Sequence, residues 1–340
     1  GQMDFDLTII GSGPGGYVAA IRGSQLGLKV AIVEREALGG ICLNWGCIPT
    51  KSFLRSAEVL KIIEGSEKYG IKSKLGDIDI HEVVKRSRSI AKKLSSGVKY
   101  LLNKNKVKIF AGEASFKNSK SVRIIDKNNV VKEITSKNIC IASGGRPREI
   151  SGIANSSNVW FYKEALQVDK IPNKLLVVGS GAIGVEFASF FAQMGSDVSL
   201  LESKPSILPN EDVEISNFVE KQFLKRGIKV YKNHSLLSLK EKGSSFEAKL
   251  RNEDKILTLE FEKAILAIGI VGNIENLNLE GISINCSNGS ILVDEYCRTN
   301  VDNIYAIGDV ASPPWLAHKA SHEGISVAEQ VAGVKVHPIN

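Results

Sequence analysis

One arrangement of apolar and polar positions occurs twice in this chain. An apolar run, Leu7-Thr8-Ile9-Ile10, leads into a Gly-rich turn. A segment with apolar residues at helical spacing then runs from Tyr17 to Leu26 and stops at Gly27. A second apolar run, Val30-Ala31-Ile32-Val33, ends on Glu34. Short unbroken apolar runs predict strands buried on both faces, and the 3.6-residue periodicity between them predicts a helix, so the stretch reads as a βαβ unit. Shifted by 168 residues, the same order returns: Leu175 to Val178, a Gly turn, Val185 to Met194, Gly195, then Val198 to Leu201 ending on Glu202. The matched pairs are Gly11 and Gly179, Gly13 and Gly181, Gly16 and Gly184, Gly27 and Gly195, and Glu34 and Glu202.

Each unit carries a Gly-x-Gly-x-x-Gly turn between its first strand and its helix. The first glycine allows the tight turn, the second lets backbone approach a pyrophosphate, and the third lets the helix pack on the strand. Free N–H groups and the positive end of the helix dipole then hold phosphate, while the acid at the end of the second strand accepts from a ribose hydroxyl. Two bound dinucleotides are expected. Glu202 is followed by Ser203 and Lys204, with no arginine nearby to meet a 2′-phosphate, which favours NAD over NADP in the second unit.

Composition narrows the class. A length of 340 residues predicts about two domains. The longest apolar run, Ala264 to Gly272, is well short of the roughly 18 residues of a membrane helix, and no export signal opens the sequence, so a cytoplasmic protein is expected. Lys and Arg number 44 against 37 Asp and Glu, a net charge of +7. The densest basic stretches, Lys85 to Lys93 and Lys99 to Lys108, alternate with apolar residues as a solvated amphipathic helix does, so no nucleic-acid partner is expected.

Cysteines supply the candidate chemistry. Cys42 and Cys47 flank Leu43-Asn44-Trp45-Gly46, and Pro49 is placed to open a helix through Leu54 and Ala57. Cys47 would then lie at a helix N-terminus, which favours thiolate, with Lys51 one turn further along the same face. A structural disulfide fits poorly with a reducing compartment, and a metal site lacks a second Cys/His pair at ligand spacing. A redox-active pair beside a bound nucleotide is the reading these residues favour. Cys140, Cys286 and Cys297 stand alone and are expected to be inert.

With those residues in view, the chain resembles the class I pyridine nucleotide-disulfide oxidoreductases. The string Gly39 to Lys51 is similar to the family's redox-disulfide segment, and Leu43, Ile48 and Ser52-Phe53-Leu54 are most similar to its members that oxidise dihydrolipoamide. Ile141 to Pro147 resembles the family's exit from the flavin domain and Ala267-Ile268-Gly269 the exit from the nicotinamide domain. Thr299 to Asp309 resembles the second FAD motif, and Leu316 to Lys319 the segment beneath the flavin ring.

The resemblance implies an α/β fold of two Rossmann-like FAD/NAD(P)-binding domains of three-layer ββα type, the NAD domain inserted into the FAD domain. The expected boundaries are 1–148 and 273–340 for the FAD-binding domain and 149–272 for the NAD-binding domain. FAD would be held by Gly11, Gly13, Gly16, Glu34, Gly40, Lys51, Ala114, Ser143, Gly144, Asp309 and Ala317, and NAD by Gly179, Gly181, Gly184, Glu186, Glu202 and Gly269. Cys42 would exchange thiols with dihydrolipoamide, Cys47 would pass the electron pair to FAD, and Lys51 paired with Glu186 would lie near the flavin and nicotinamide. The implied partners are the lipoyl domain of a 2-oxoacid dehydrogenase complex or of the glycine cleavage system, and a second copy of the full-length protein in a homodimer.

One departure follows from the same resemblance. The family takes its proton acceptor, a histidine supported by a glutamate, from a C-terminal dimerisation domain, and Val336 to Asn340 fall about where that domain should begin. The chain as given is therefore expected to bind FAD and NAD but to turn over lipoamide poorly. His337-Pro338 does not stand where the family's His-Pro does, and His318 and His322 match a flavin-side helix instead. Another substrate on the same scaffold, either glutathione or a related low-molecular thiol, or mercuric ion, and a non-catalytic nucleotide-binding fragment are the alternative readings.

Overall fold

The computed structural model describes residues 2–153, 156–311 and 317–339, with side chains from 319 onward in the last stretch. In chain order the elements are β1 (Phe5–Ile10), α1 (Pro14–Gln25), β2 (Val30–Glu34), α2 (Gly40–Trp45), α3 (Cys47–Gly65), α4 (Ile80–Lys104), β3 (Lys108–Ala111), β4 (Glu113–Asn118), β5 (Ser121–Ile125), β6 (Val131–Ile141) and β7 (Gly145–Pro147). There follow β8 (Val159–Trp160), α5 (Tyr162–Ala165), β9 (Lys174–Val178), α6 (Ala182–Gln193), β10 (Asp197–Leu201), α7 (Val213–Lys225), β11 (Lys229–Tyr231), β12 (Ser235–Lys242), β13 (Ser245–Asn252), β14 (Lys255–Phe261) and β15 (Lys263–Leu266). Last come β16 (Ile270–Gly272), β17 (Cys286–Ser287), β18 (Ser290–Ile291), β19 (Ile304–Ala306) and α8 (Ala317–Val331). They pack as two units, one of residues 1–44, 91–146 and 270–340, the other of 45–90 and 147–269.

In the first unit, strands β3, β2, β1, β6 and β19 run parallel. Period-two alternation divides their side chains between two cores. Leu7, Ile9, Ile32 and Cys140 face the helices, meeting Ala19 and Ala20 of α1, Val98 and Leu102 of α4 and Val327 of α8. Ile10, Val33 and Ile141 face the other way, onto Ala114, Phe116, Val122, Ile124 and Ile134. That second cover is possible because β6 is long: its C-terminal half pairs with β1 and β19, while its N-terminal half runs antiparallel to β5. The result is three layers, sheet on sheet on helix.

Helices α1 and α8 cross closely because glycines remove the side chains between them. A Cβ on Gly15 would lie 2.9 Å from the Ala320 carbonyl oxygen, and one on Gly324 would collide with the Gly15 carbonyl oxygen. Arg22 and Glu329 close the far end of the crossing at 3.2 Å.

The second unit repeats the plan. Parallel strands β11, β10, β9, β15 and β8 carry α6 on one face, through buried Phe187, Ala188, Phe190 and Phe191. On the other face the antiparallel sheet β12–β13–β14 brings Phe246, Ala248, Leu250 and Phe261 against Leu176, Val178, Leu201 and Leu266. Helix α3 belongs to this unit because Phe53 packs on Phe190, ring centroids 4.6 Å apart. Both fingerprint helices begin before the segments that the periodicity marked, at Pro14 and Ala182; Pro14-Gly15-Gly16 carries no hydrophobic signal, and in α6 Ile183 is the single large apolar residue ahead of Val185.

Candidate functional site

The two Gly-rich turns are near copies in three dimensions. Gly11 and Gly179 have φ of +104° and +99°, a region L side chains rarely adopt. A Cβ on either would also strike a backbone carbonyl, that of Ala142 or Ala267. Gly16 and Gly184 press so closely on the carbonyls of Gly11 and Gly179 that no side chain fits. The middle glycines differ: Gly13 and Gly181 cap their helices with extended backbone, and a Cβ there would meet nothing within 4 Å. Steric crowding inside the protein explains the outer glycines but not the middle ones. Open space over a helix N-terminus is the cradle a pyrophosphate would fill, so both sites fit a dinucleotide.

Each acid is tied to its own turn. Glu34 Oε1 accepts from Ser12 N–H at 3.1 Å and Ser12 Oγ at 2.5 Å, and its Oε2 accepts from the Glu36 N–H at 2.8 Å. Glu202 repeats this with Ser180 N–H at 3.1 Å, Ser180 Oγ at 2.6 Å and Lys204 N–H at 2.9 Å. These bonds fix the carboxylates and leave them lone pairs for a ribose hydroxyl. Ser12 and Ser180 escaped the sequence reading, although an identical residue between the first two glycines of both copies was a visible signal.

The cysteine segment begins beside the first cradle. Gly40, φ +73°, lies so close to Gly13 that a Cβ would come within 2.7 Å of the Gly13 Cα. Buried Asn44 donates from Nδ2 to the Leu38 and Gly40 carbonyls at 3.1 and 2.9 Å, which stiffens α2. Cys42 on α2 is half-buried, and burial together with Cys42 pushes the Tyr17 phenol above its usual range. Cys47 is exposed and opens α3, two residues ahead of Pro49, where the sequence suggested the helix would start. The Gly46 carbonyl accepts from Thr50 N–H at 3.1 Å and Thr50 Oγ at 2.7 Å. Lys51, one turn on, is exposed. Burial pushes the Glu186 carboxyl up, and the Lys51 charge pulls it partly back.

The remaining predicted positions gather at strand ends. In the first unit Ser143 Oγ donates to the Asn273 carbonyl at 2.8 Å, Asn273 Nδ2 returns a bond to the Ser143 carbonyl at 3.1 Å, and Asn273 N–H donates to the Gly144 carbonyl at 2.8 Å. Arg146 and Glu275 form a two-pronged pair, both contacts 2.6 Å. Ala114 is buried in β4. Asp309 lies in a short 3₁₀ turn, Gly308–Val310, and burial plus the neighbouring Glu323 carboxylate push its pKa up to about 6. Glu323 Oε1 accepts from the Gly308 N–H at 3.2 Å and its Oε2 from the Cys297 thiol at 3.7 Å. Burial raises the thiols of Cys140 and Cys297 well above their ordinary value, as inert cysteines require. In the second unit the Gly269 carbonyl accepts from Arg148 N–H at 2.9 Å. Ala317 starts α8, but its side chain and that of His318 lie outside the described residues, as does Leu316. Asn273 and Glu323 were missed because their partners are distant in sequence.

Comparison with known proteins places this geometry. The sequence profile described as pyridine nucleotide-disulphide oxidoreductase matches residues 5–324. A dihydrolipoyl dehydrogenase of Zymomonas mobilis subsp. mobilis is 48% identical over 339 residues, covering 99% of this chain and 73% of the relative. One from Rhizobium etli is 47% identical over 354 residues, covering 98% and 73%. Among solved structures, LpdA from Mycobacterium tuberculosis has a TM-score of 0.91 at 24% identity, covering 98% of this chain and 74% of that one, a likeness of fold. The fold is the expected pair of three-layer Rossmann-like units. Among the described residues no helix is long and apolar enough to cross a membrane.

Proposed function

The chain belongs to the pyridine nucleotide-disulphide oxidoreductase family, and from that membership we propose that it oxidises protein-bound dihydrolipoamide to lipoamide with NAD+, through FAD and a Cys42–Cys47 redox disulfide. The observation that carries the reading is the presence, in one chain, of two carboxylate-tied nucleotide cradles and a cysteine pair whose second member opens a helix.

In the proposed reaction a substrate thiolate attacks Cys42 Sγ, the Cys42–Cys47 bond breaks, and Cys47 leaves as thiolate. The second substrate thiol, giving up its proton, displaces Cys42 and closes the lipoamide ring. Two electrons are then held by the cysteine pair as a dithiol. FAD, when bound, supplies the two-electron carrier between that dithiol and NAD. The chain's own groups bind and orient. Gly11, Gly13, Gly16 and Glu34 hold the flavin nucleotide with Gly40, Ala114, Ser143, Gly144, Asp309 and Ala317; Gly179, Gly181, Gly184, Glu202 and Gly269 hold NAD. The N-terminus of α3 favours Cys47 as thiolate, and Lys51 keeps a positive charge one turn away, oriented by Glu186. The flavin-binding domain comprises 1–148 and 273–340 and the nicotinamide-binding domain 149–272. The electron donor is a lipoyl domain of a 2-oxoacid dehydrogenase complex or of the glycine cleavage system. The working protein is a cytoplasmic homodimer.

The test is an anaerobic absorbance titration of the FAD-loaded chain. A long-wavelength thiolate-to-flavin band should appear with NADH, appear poorly with NADPH, and be lost in Cys47→Ser. A protein that does not take up FAD, or that prefers NADPH, would refute the assignment.

A further inference from the structure

We propose that Arg88 and Lys163 are positioning residues for Cys47: by gripping the indole of Trp45 they fix the entry to α3 and hold two positive charges beside the reactive thiol. This deepens the function proposed above and rests on it.

Trp45 is half-buried and stands two residues before Cys47. The Arg88 guanidinium carbon lies 3.6 Å from the centroid of its ring, a stacking distance, and Lys163 Nζ lies 5.1 Å from it. Arg88 comes from α4 and Lys163 from α5, so two separate elements reach the same ring. Helix α4 takes a second hold beyond the cysteine: Arg86 Nη1 donates to the Ser52 carbonyl at 3.3 Å and to Ser52 Oγ at 3.0 Å. The segment carrying Cys47 is thus gripped on both sides by neighbouring arginines. An aliphatic residue at position 45 could pack there but could not gather cations, since only an aromatic face attracts them. Burial lowers the Arg88 pKa, a sign that its charge is partly withdrawn from water and acts at reduced screening.

Charged residues near these contacts in sequence are Lys51, Arg55 and Glu58 of α3, the last two paired at 3.0 Å, Glu82, Lys85, Arg86 and Arg88 of α4, the first two paired at 4.0 Å, and Lys163 and Glu164 of α5, with Glu186 of α6 close enough to Lys51 to be pulled by its charge. Cations outnumber carboxylates among them, and the Glu186 carboxyl is raised by burial. The balance therefore favours a thiolate at Cys47, in addition to the effect of the helix terminus.

The experiment follows the pH dependence of Cys47 alkylation by iodoacetamide in the full-length chain loaded with FAD, in a Cys42→Ser background, reading the Cys47 peptide by mass spectrometry. Arg88→Met should raise the apparent thiol pKa by about half a unit or more, a roughly threefold slower alkylation below that pKa. Arg88→Lys, which keeps the charge, should recover most of the shift. Should Arg88→Met not fold, Lys163→Met, at an exposed residue, should give a smaller shift in the same direction. A lowered melting temperature with an unmoved alkylation profile would overturn the inference and leave only packing. A Cys47 that already titrates at an ordinary thiol value in the Cys42→Ser parent would instead refute the activated thiol of the proposed function.

Discussion

Asp309 is expected to destabilise the folded protein at neutral pH, and removing its charge should show it. Burial, with Glu323 as a second cause, moves its pKa from 3.8 to about 6. Between those values the folded protein holds a proton that the unfolded chain has already released. Stability therefore falls as pH rises through that window, and the loss is complete above about pH 6. Each pKa unit corresponds to 1.36 kcal/mol, so a displacement of about two units amounts to about 3 kcal/mol. Asp309→Asn preserves shape and abolishes the titration. In urea unfolding of the FAD-free protein, followed by circular dichroism, variant and parent should be nearly equal at pH 4. The variant's advantage should then grow by up to about 1.4 kcal/mol per pH unit and level off near 3 kcal/mol by pH 7. Glu323, itself raised by burial, should ionise more easily once its neighbour is neutral, which enlarges the difference in the same direction. The same variant should bind FAD more weakly. A stability difference independent of pH, or one that shrinks between pH 5 and 7, would refute the reasoning.

The outer and middle glycines should behave in opposite ways. Gly16→Ala and Gly184→Ala force a Cβ into a carbonyl and should lower the melting temperature measurably, while Gly13→Ala and Gly181→Ala should leave it nearly unchanged and weaken FAD and NADH binding respectively, as flavin retention and NADH fluorescence would report. Glu202→Ala leaves buried Ser180 without its acceptor, so it should cost about 1–3 kcal/mol in denaturant unfolding and reduce the preference for NADH over NADPH in steady-state assays. Gly324→Ala places a methyl group against the Gly15 carbonyl and should destabilise the α1–α8 crossing by about 1–3 kcal/mol, seen as loss of FAD on mild heating.

What the sequence made legible were features whose cause is local. Gly16 and Gly184 are required by contacts within their own turns, Gly11 and Gly179 by their own positive φ, and the apolar runs that became β1, β2, β9 and β10 report burial directly. The paired acids were legible because they close the same short unit. Features built across the chain were not. Asn273 ties itself to Ser143 across 130 residues, Glu323 reaches Gly308 from another element, and Trp45 is approached by Arg88 and Lys163 from α4 and α5. No periodicity or short motif encodes such pairings, because each depends on where the fold carries two distant segments. The start of α3 was misplaced by two residues for a related reason. Pro49 is a strong marker of a helix start, yet the first turn tolerates proline beyond its opening position, where the N–H has no partner to lose.

The repeat is longer in space than in sequence, and its end shows where the two copies part. After the acid, each chain segment returns to the carbonyl of the fingerprint serine: Gly39 N–H donates to Ser12 O at 3.1 Å, and Leu208 N–H donates to Ser180 O at 2.8 Å. Both returning residues have positive φ, +99° for Gly39 and +47° for Leu208, a strained value for a leucine that the surrounding contacts must hold in place. Nothing in the residue types announces that equivalence, since glycine and leucine stand at corresponding points. Beyond it the copies diverge. In the second, the chain passes to Asp212, whose side chain caps α7 through the Glu214 N–H at 2.8 Å, and no cysteine stands between Glu202 and the end of α7. In the first, Gly40 closes onto Gly13 at once and opens α2, which carries Cys42. The duplicated βαβ motif is thus followed in sequence by a cysteine pair, Cys42 and Cys47, after its first copy and by a capped helix after its second.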